Sequence, residues 1–515
     1  MSLIKEKILK NTVFNFLSSL ILSISRFVTS VIIARMLGPV LMGAYSLVTF
    51  TISVLDIITS LGLQNLAIKY ISEFDGENNT DTREKIIRYI LKIKIILTIA
   101  GSIFLITFSR FFARFYADDN LKTYILIAAI ALLPAGIAAI GRSIMQGLQD
   151  YRALTFQALL SAPLSIIITL FFLYLGFSVN GVIAVTVFTS TVDLIIYYFF
   201  IRRHIKLRFC LKTSLPPDLK KRLITYNWHL AIIVILDAII WQRSEVFFLG
   251  RLSSQADVAF YSVAYNLSSW IIAFLPGMFG NVLFPVMSEL FGKNEKNKLN
   301  ELYILSTRYL MIFSIPFCFA GIGLSSTIIR LMYGSAYLPM TPVLNILLVS
   351  SCFGIIASPG SSVYYATERQ RYIIKIGLCI AIVNIILNLS LIPSFGAIGA
   401  AIVNSFSQIA AVLIGTSVIC RALSIRFPIK DLVKTIFSGL CMLAWINLSS
   451  FFIEGILHAI LSFLTGIIIY VIMIFEFKVI TKTDVKLFGG MKEKFPAIIQ
   501  PSYSKLLRAM QYYAS

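Results

Sequence analysis

Apolar positions along the chain come in runs of about twenty residues separated by short polar turns, the length an α-helix needs to cross the hydrocarbon core of a bilayer. By that criterion spans are expected near 12–36, 40–65, 91–109, 122–141, 153–175 and 180–201. After a basic stretch holding Pro216 and Pro217, six more are expected near 226–250, 258–285, 306–330, 341–366, 372–393 and 396–420. Two further spans near 431–453 and 456–475 precede a polar tail that starts at Glu476. The pattern predicts an all-α integral membrane protein with about fourteen transmembrane helices.

The order of landmarks repeats. Gly38 and Gly250 are 212 positions apart, Tyr45 and Tyr261 are 216, Asp150 and Glu368 are 218, and so are Gly181 and Gly399. A longer turn at 251–257 accounts for most of the drift. Each copy holds an even number of spans, so both copies face the same way across the membrane. Parallel repeats of this kind suit a transporter with its substrate between two lobes. The expected division is a six-helix lobe over 1–201, a basic cytoplasmic linker over 202–225, a second six-helix lobe over 226–420, two added helices over 421–475 and a cytoplasmic tail over 476–515.

Composition agrees with lipid as the solvent. Of 515 residues 58% are hydrophobic and 13% charged, against about 25% charged in soluble chains. The net charge of +21 is no nucleic-acid signal, because the basic residues collect in alternate turns. Arg83, Lys85 and Arg88 follow the second span; Arg202, Arg203, Lys206, Arg208, Lys212, Lys220, Lys221 and Arg222 follow the sixth; Lys293, Lys296 and Lys298 follow the eighth. The intervening turns are poor in Lys and Arg, with Arg110, Arg114, Lys122 and Arg251 as the main exceptions. This asymmetry predicts that both termini are cytoplasmic. The first apolar run is long, carries Arg26 and has no A-x-A exit, so it reads as a retained span rather than a cleaved signal. The 6 cysteines contain no CxxC pair and suggest neither a disulfide framework nor a metal site.

No hydrolytic or phosphate-cradling motif occurs, and the three histidines His204, His229 and His458 are scattered. The expectation is a protein that is not an enzyme, with no cofactor and no metal. Chemistry must then reside in polar residues within the spans. A charge at the centre of a membrane helix costs about 3 kcal/mol, so such residues face a protein interior or a wet cavity. Arg26 lies deep in the first span. Arg35, nine positions later, points to the opposite face and can snorkel to the surface. A guanidinium is always charged and binds phosphate oxygens through a bidentate fork. Arg26, with Arg243 as its counterpart in the second lobe, is therefore a candidate anion ligand; a salt bridge to a neighbouring helix is the alternative for Arg243.

Asp56, Asp193, Asp237 and Glu245 are candidate ion-coupling groups, since burial and a nearby cation push a carboxyl pKa in opposite directions. A fixed charge pair holding helices together is the alternative for each. Asp237 and Arg243 are about 240° apart around a helix and do not pair locally, which leaves Arg26 as one candidate partner for Asp237. Asp56 also lacks a partner nearby in the sequence. Asn384 with Asn388, and Asn404 with Gln408, are i, i+4 pairs forming polar stripes, suited to interhelical hydrogen bonds or to a glycan-facing wall.

In order and spacing, these features resemble the polysaccharide-export flippase family. The resemblance is carried by the arginine-bearing first span, the exit Ala34-Arg35-Met36-Leu37-Gly38-Pro39 and the entry Gly43-Ala44-Tyr45. It continues in a late segment with Asn384, Asn388, Leu391-Ile392-Pro393, Gly396 and Gly399-Ala400-Ala401. That family belongs to a superfamily with the multidrug/toxin extruders and the peptidoglycan lipid-precursor flippase. The resemblance covers almost the whole chain. It implies two six-helix lobes forming a V-shaped cavity and, in the cytoplasmic membrane, a monomer that flips a polyprenyl-pyrophosphate-linked oligosaccharide by alternating access. Protons or sodium are the expected driving ions. A cation-coupled multidrug exporter of the same fold is the first alternative and would favour carboxylates and aromatics over arginines. A membrane glycosyltransferase or polymerase is the second, and the turns at 177–179 and 394–395 leave no room for the outer acceptor loop it would need.

Overall fold

The computed structural model describes residues 2–204, 215–241, 244–273, 277–367, 369–449, 455–480 and 484, and among them there is no strand. The helices are α1 (Ser2–Ser60), α2 (Leu63–Gly76), α3 (Thr80–Phe115), α4 (Asn120–Gly147), α5 (Tyr151–Tyr174), α6 (Ser178–His204), α7 (Pro217–Trp241), α8 (Glu245–Leu252) and α9 (Gln255–Ala273). They continue as α10 (Gly277–Gly292), α11 (Lys296–Gly323), α12 (Ser325–Met332), α13 (Thr341–Ile356), α14 (Ser358–Ala366), α15 (Gln370–Leu423), α16 (Ile429–Ser449) and α17 (Gly455–Glu476). Among the described residues ten stretches are long and apolar enough to cross a membrane. The chain is a multi-pass membrane protein.

Two of those stretches, Val13–Ser60 and Arg371–Leu423, are 48 and 53 residues long, and each is broken once. The first breaks at Gly38 (φ 73°), followed by Pro39; the second breaks at Gly396 (φ 51°, ψ −129°). Every arm is long enough for a span of about 20 residues. At Gly396 the chain doubles back, since a Cβ on Gly399 would lie 2.6 Å from the carbonyl oxygen of Leu391. Asp257 sits against this corner. Its carboxylate accepts from the hydroxyls of Ser253 and Ser254, both at 2.7 Å, and from the Ala397 N–H at 3.4 Å. A side chain at 396 would need a left-handed φ and would meet the Asp257 carboxyl at 3.0 Å.

Several predicted spans divide in the structure. The stretch predicted over 341–366 is α13 and α14, separated where Pro359 takes the first turn of a new helix. The described parts of the stretches predicted over 226–250 and 258–285 are α7 with α8 and α9 with α10, and residues 242–243 and 274–276 between them lie outside the described residues. Conversely, residues read as a loop after the second span fold into α2 and the start of α3, whose N-cap Asn79 accepts from the Thr82 N–H at 3.1 Å. The tail expected over 476–515 is described only to residue 480 and at Asp484.

Contacts divide the chain into two compact units, Met1–Val263 with Ala381–Val403, and Ala264–Ile380 with Asn404–Ser515. In the first, α4 packs on α3 and α6, and α1 on α5. Small residues permit these approaches. A Cβ on Gly141 would strike Tyr197 at 2.8 Å, and one on Gly101 would strike Thr59 at 2.8 Å. In the second, α11 packs on α13 and α16, and Gly439 lies where any side chain would strike Phe319. There Arg308 and Tyr309 of α11 hold the buried carboxylate of Asp484, the tyrosine at 2.8 Å.

Helix α3 shows the membrane logic on its own. Lys94, Thr98 and Ser102, spaced by four, are buried, while Ile96, Ile99, Ile103 and Phe104 are exposed. Apolar side chains face outward and polar ones inward, the reverse of a soluble protein.

The closest backbone approach predicts a stability effect. A Cβ on Gly43 of α1 would lie 1.9 Å from the backbone oxygen of Gln255 on α9, and backbone cannot swing aside. Gly43→Ala is expected to lose about 1–3 kcal/mol through overpacking. Gly76→Ala, with nothing within 4 Å, should be neutral. Thermal unfolding of detergent-purified protein measures both, and equal midpoints would contradict the tight α1–α9 approach.

Candidate functional site

The polar interior of the first unit is built from α1, α4, α5 and α6. Arg26 projects from α1 beside Ser25, whose hydroxyl donates to the Ala162 carbonyl of α5 at 3.1 Å and so fixes the two helices in register. The Arg26 side chain is exposed and therefore reachable by a ligand. Its charged neighbour is Arg142 of α4, half-buried and within direct electrostatic reach of Arg26, of Asp193 and of Tyr197. Neither arginine makes an ion pair among the described residues. Asp193 of α6 accepts from Gln157 Nε2 at 2.8 Å and from the Ser161 hydroxyl, both on α5. Tyr197, one turn further along α6, donates to Gln157 Oε1 at 3.2 Å. The result is a relay of neutral donors converging on one carboxylate, with the Arg142 guanidinium within electrostatic reach. Arg142 lies between two charged groups of opposite sign, Arg26 and Asp193, and among these three side chains the positive charges outnumber the negative by one.

Asp56 and Lys94 form a second site in the same unit. Asp56 does have a partner, although none is visible nearby in the sequence. The Lys94 ammonium, fully buried, donates to Asp56 Oδ1 at 2.8 Å, Ser60 Oγ at 2.6 Å and Thr59 Oγ1 at 3.3 Å. An ammonium has three donors, and all three are used. Gly136 of α4 makes room for it, since a Cβ there would come within 3.0 Å of Lys94 Cε. The Asp56 side chain is 35% exposed, so the pair is closed on the lysine side and open on the carboxylate side.

Glu245 is buried and accepts from the Tyr261 hydroxyl at 2.9 Å and from Asn384 Nδ2 at 3.1 Å. Asn388 Nδ2 donates to Asn384 Oδ1 at 2.8 Å, so this stripe ends on Glu245. In the second unit Gln408 Nε2 donates to Asn404 Oδ1 at 3.0 Å. All four amide side chains are buried. Arg243 lies outside the described residues. Asp237 lies on α7, but its side chain is outside them too, and with it the suggested Arg26–Asp237 pairing.

The structure thus places Arg142 within electrostatic reach of both Arg26 and Asp193, and surrounds Asp193 with Gln157, Ser161 and, through Gln157, Tyr197. In the sequence Arg142 flanks an inner turn, yet α4 continues to Gly147 and holds it half-buried on the helix. The available signal was the Gly141-Arg142 pair, a small residue permitting close helix packing beside a charge. Lys94 had a signal as well, the i, i+4 polar spacing with Thr98 and Ser102. Among the described residues no three His, Cys, Asp or Glu side chains gather as a metal site.

Comparison with known proteins supplies the family. A family model described as polysaccharide biosynthesis protein matches residues 32–342, and one described as lipid II flippase MurJ matches residues 251–476. An uncharacterized membrane protein of Methanocaldococcus jannaschii is 25% identical over 504 residues, covering 94% of this chain and 98% of its own length. A protein of Haloferax volcanii named as a probable low-salt glycan biosynthesis flippase is 23% identical over 253 residues, 48% of this chain and 50% of its own length. The solved structure of lipid II flippase MurJ, inward closed conformation, has the same fold, with a TM-score of 0.72 at 19% identity over 90% of this chain and 98% of that chain.

The Asp56–Lys94 pair predicts an asymmetric mutational response. Removing one member of a buried pair leaves a charge without compensation and costs about 3–5 kcal/mol; the exposure of Asp56 places this case at the lower end. Lys94→Met should therefore lower the unfolding midpoint in detergent strongly, whereas the Asp56→Asn, Lys94→Met double variant should regain most of the loss. A double variant no better than the single would show that the two charges do not compensate each other.

Proposed function

This chain belongs to the polysaccharide biosynthesis protein family, and from that premise we propose that it is a flippase for a polyprenyl-pyrophosphate-linked oligosaccharide. The observation that carries the reading is the Arg26–Arg142 pair, in which Arg142 alone has a carboxylate, Asp193, within electrostatic reach. Two like charges in a membrane interior are costly unless an anion joins them. A pyrophosphate crossing the bilayer must in turn exchange its hydration for fixed donors. Guanidinium groups supply these as planar forks that remain charged throughout. A cation-binding exporter would gain nothing from this pair. The names of the relatives, a lipid II flippase and a glycan biosynthesis flippase, support a lipid-linked glycan as the cargo class.

In this reading the protein works by alternating access, as a monomer, with fourteen spans arranged as two parallel six-helix lobes, 1–201 and 226–420, plus two added helices. The two double-length stretches, broken at Gly38 and Gly396, each supply two of those spans. Arg243 is the second lobe's counterpart to Arg26. Ion coupling falls to Asp193 rather than Asp56. Asp193 is held by neutral donors, so it can gain or lose a proton without breaking an ion pair, whereas Asp56 is committed to Lys94. Glu245 and Asp237 are the corresponding carboxylates later in the chain, and the Asn384–Asn388 and Asn404–Gln408 amides, each pair joined by its own hydrogen bond, order the helices behind any glycan-facing surface.

Export assays in cells lacking the native protein test the arginine pair. Arg26→Ala and Arg142→Ala should each reduce glycan export about 10- to 100-fold, the value of a charged hydrogen-bonded contact, with precursor accumulating on the cytoplasmic side and membrane abundance unchanged. Lysine at either position should restore only part, because it keeps the charge and loses the fork. Full export by a well-expressed Arg26→Ala, Arg142→Ala variant would sink the pyrophosphate assignment.

The loop charges support a topology with both termini in the cytoplasm. Ser394→Cys should then react with an impermeant thiol reagent added to intact cells, and Asn297→Cys should not; both native side chains are exposed. Labelling of the second and not the first would invert the topology.

A further inference from the structure

A second charged cavity lies away from the arginine pair, between α2 and the first turns of α7, with a volume of about 560 Å³. Lys69, Tyr70, Asp218, Lys221, Arg222 and Tyr226 line it. Tyr70, buried, and Tyr226 meet edge to face at 5.6 Å and form its floor. The Lys69 ammonium lies 3.9 Å from the centre of the Tyr226 ring, and the Arg222 guanidinium lies 5.2 Å from that of Tyr70. Arg222 is also paired with Glu73 at 3.0 Å. Lys69 and Lys221 make no ion pair among the described residues, so the lining holds three cations and one carboxylate, with only Arg222 neutralised from outside it. Aromatic faces orient a cation without using its N–H donors, which leaves those of Lys69 for a ligand.

The setting says what kind of ligand. Helix α2 is too short to span, and α7 leaves the cavity with Ile224 and Trp228 exposed, at 53% and 67%. Exposed tryptophan beside basic residues marks the boundary between headgroups and hydrocarbon. The cavity lies at the start of α7, and Arg202 and Arg203 in the last turn of α6 precede it in the chain. A basic pocket at that level attracts anionic headgroups.

We propose that this cavity is a binding site for the phosphate of a membrane lipid, with Lys69 and Lys221 as its ligands, the Tyr70–Tyr226 pair as its floor and the acyl chains lying along the exposed face of α7. The site does not depend on the identity of the transported glycan. A bound lipid would add to the contacts that already join α2 to the start of α7, the Arg222–Glu73 ion pair and the Tyr70–Tyr226 ring contact.

The test is native mass spectrometry of the full chain purified in detergent and titrated with phosphatidylglycerol. Lys69→Ala and Lys221→Ala should each weaken retention about fivefold, the effect of one basic residue at an anionic surface. Lys293→Ala, a lysine of another basic turn already paired with Glu289, should change little. Lys69→Gln serves as a milder variant, with unfolding midpoints confirming that each protein is folded. Competition arms use inorganic phosphate and a polyprenyl diphosphate. Equal loss in Lys293→Ala, or none in the Lys69 and Lys221 variants, overturns the site. Displacement of the lipid by millimolar inorganic phosphate, or much tighter retention of the polyprenyl diphosphate, overturns its assignment to a bulk lipid. Retention that depends on both lysines and resists inorganic phosphate supports it.

Discussion

Hydrocarbon offers no hydrogen bonds, so every polar group carried into it must be met by another group of the protein. Lys94 shows how completely this holds. Its three ammonium donors have three acceptors, all on the last turns of α1's second arm, and the absence of a side chain at Gly136 lets α4 close over it. Packing and charge compensation here are one arrangement: α3 and α4 can approach because a glycine faces the lysine, and the lysine can be buried because α1 presents Asp56, Thr59 and Ser60. Asp193 is treated in the same way by different means, with an amide and a hydroxyl from α5 in place of a cation. Against that background Arg26 and Arg142 stand out, two like charges within electrostatic reach of each other and without an ion pair among the described residues.

Hydropathy made most of the helices readable in the sequence, because a run of about twenty apolar residues matches the thickness of the hydrocarbon core. It failed where a helix outlasts the bilayer. Helices α3 and α4 run for 36 and 28 residues, and a reading that closes a span at its first charge assigns Arg142 to a turn. It failed again where a span is made of two short helices, because Pro359 interrupts the backbone without interrupting the hydrophobicity. The site residues divide along similar lines. Arg26 and the carboxylates announce themselves by being charged within apolar runs. Their partners do not, since Asp56 and Lys94 are 38 positions apart and Asp193 and Gln157 are 36 apart, distances that only helix packing closes.

The amide pairs illustrate a different limit. By spacing alone, the stripe of Asn384 and Asn388 suits a glycan or a neighbouring helix equally well. The deciding quantity is access, and in the structure both are buried and hydrogen-bonded towards Glu245. Access depends on which face of a helix meets protein, which is a property of the whole bundle rather than of any four-residue spacing.

The reversal at Gly396 bears on how the protein is made. Residues 370–423 are helical except at that single glycine, so the two arms share a corner with almost no polar chain between them. A segment of this form gives the insertion machinery no loop to translocate and no stopping point between one arm and the next. The first arm, halted alone, would leave its final carbonyl groups without partners until the second arm had turned back. The corner of the pair therefore depends on one residue adopting a left-handed backbone, which glycine does without the Cβ penalty of other residues.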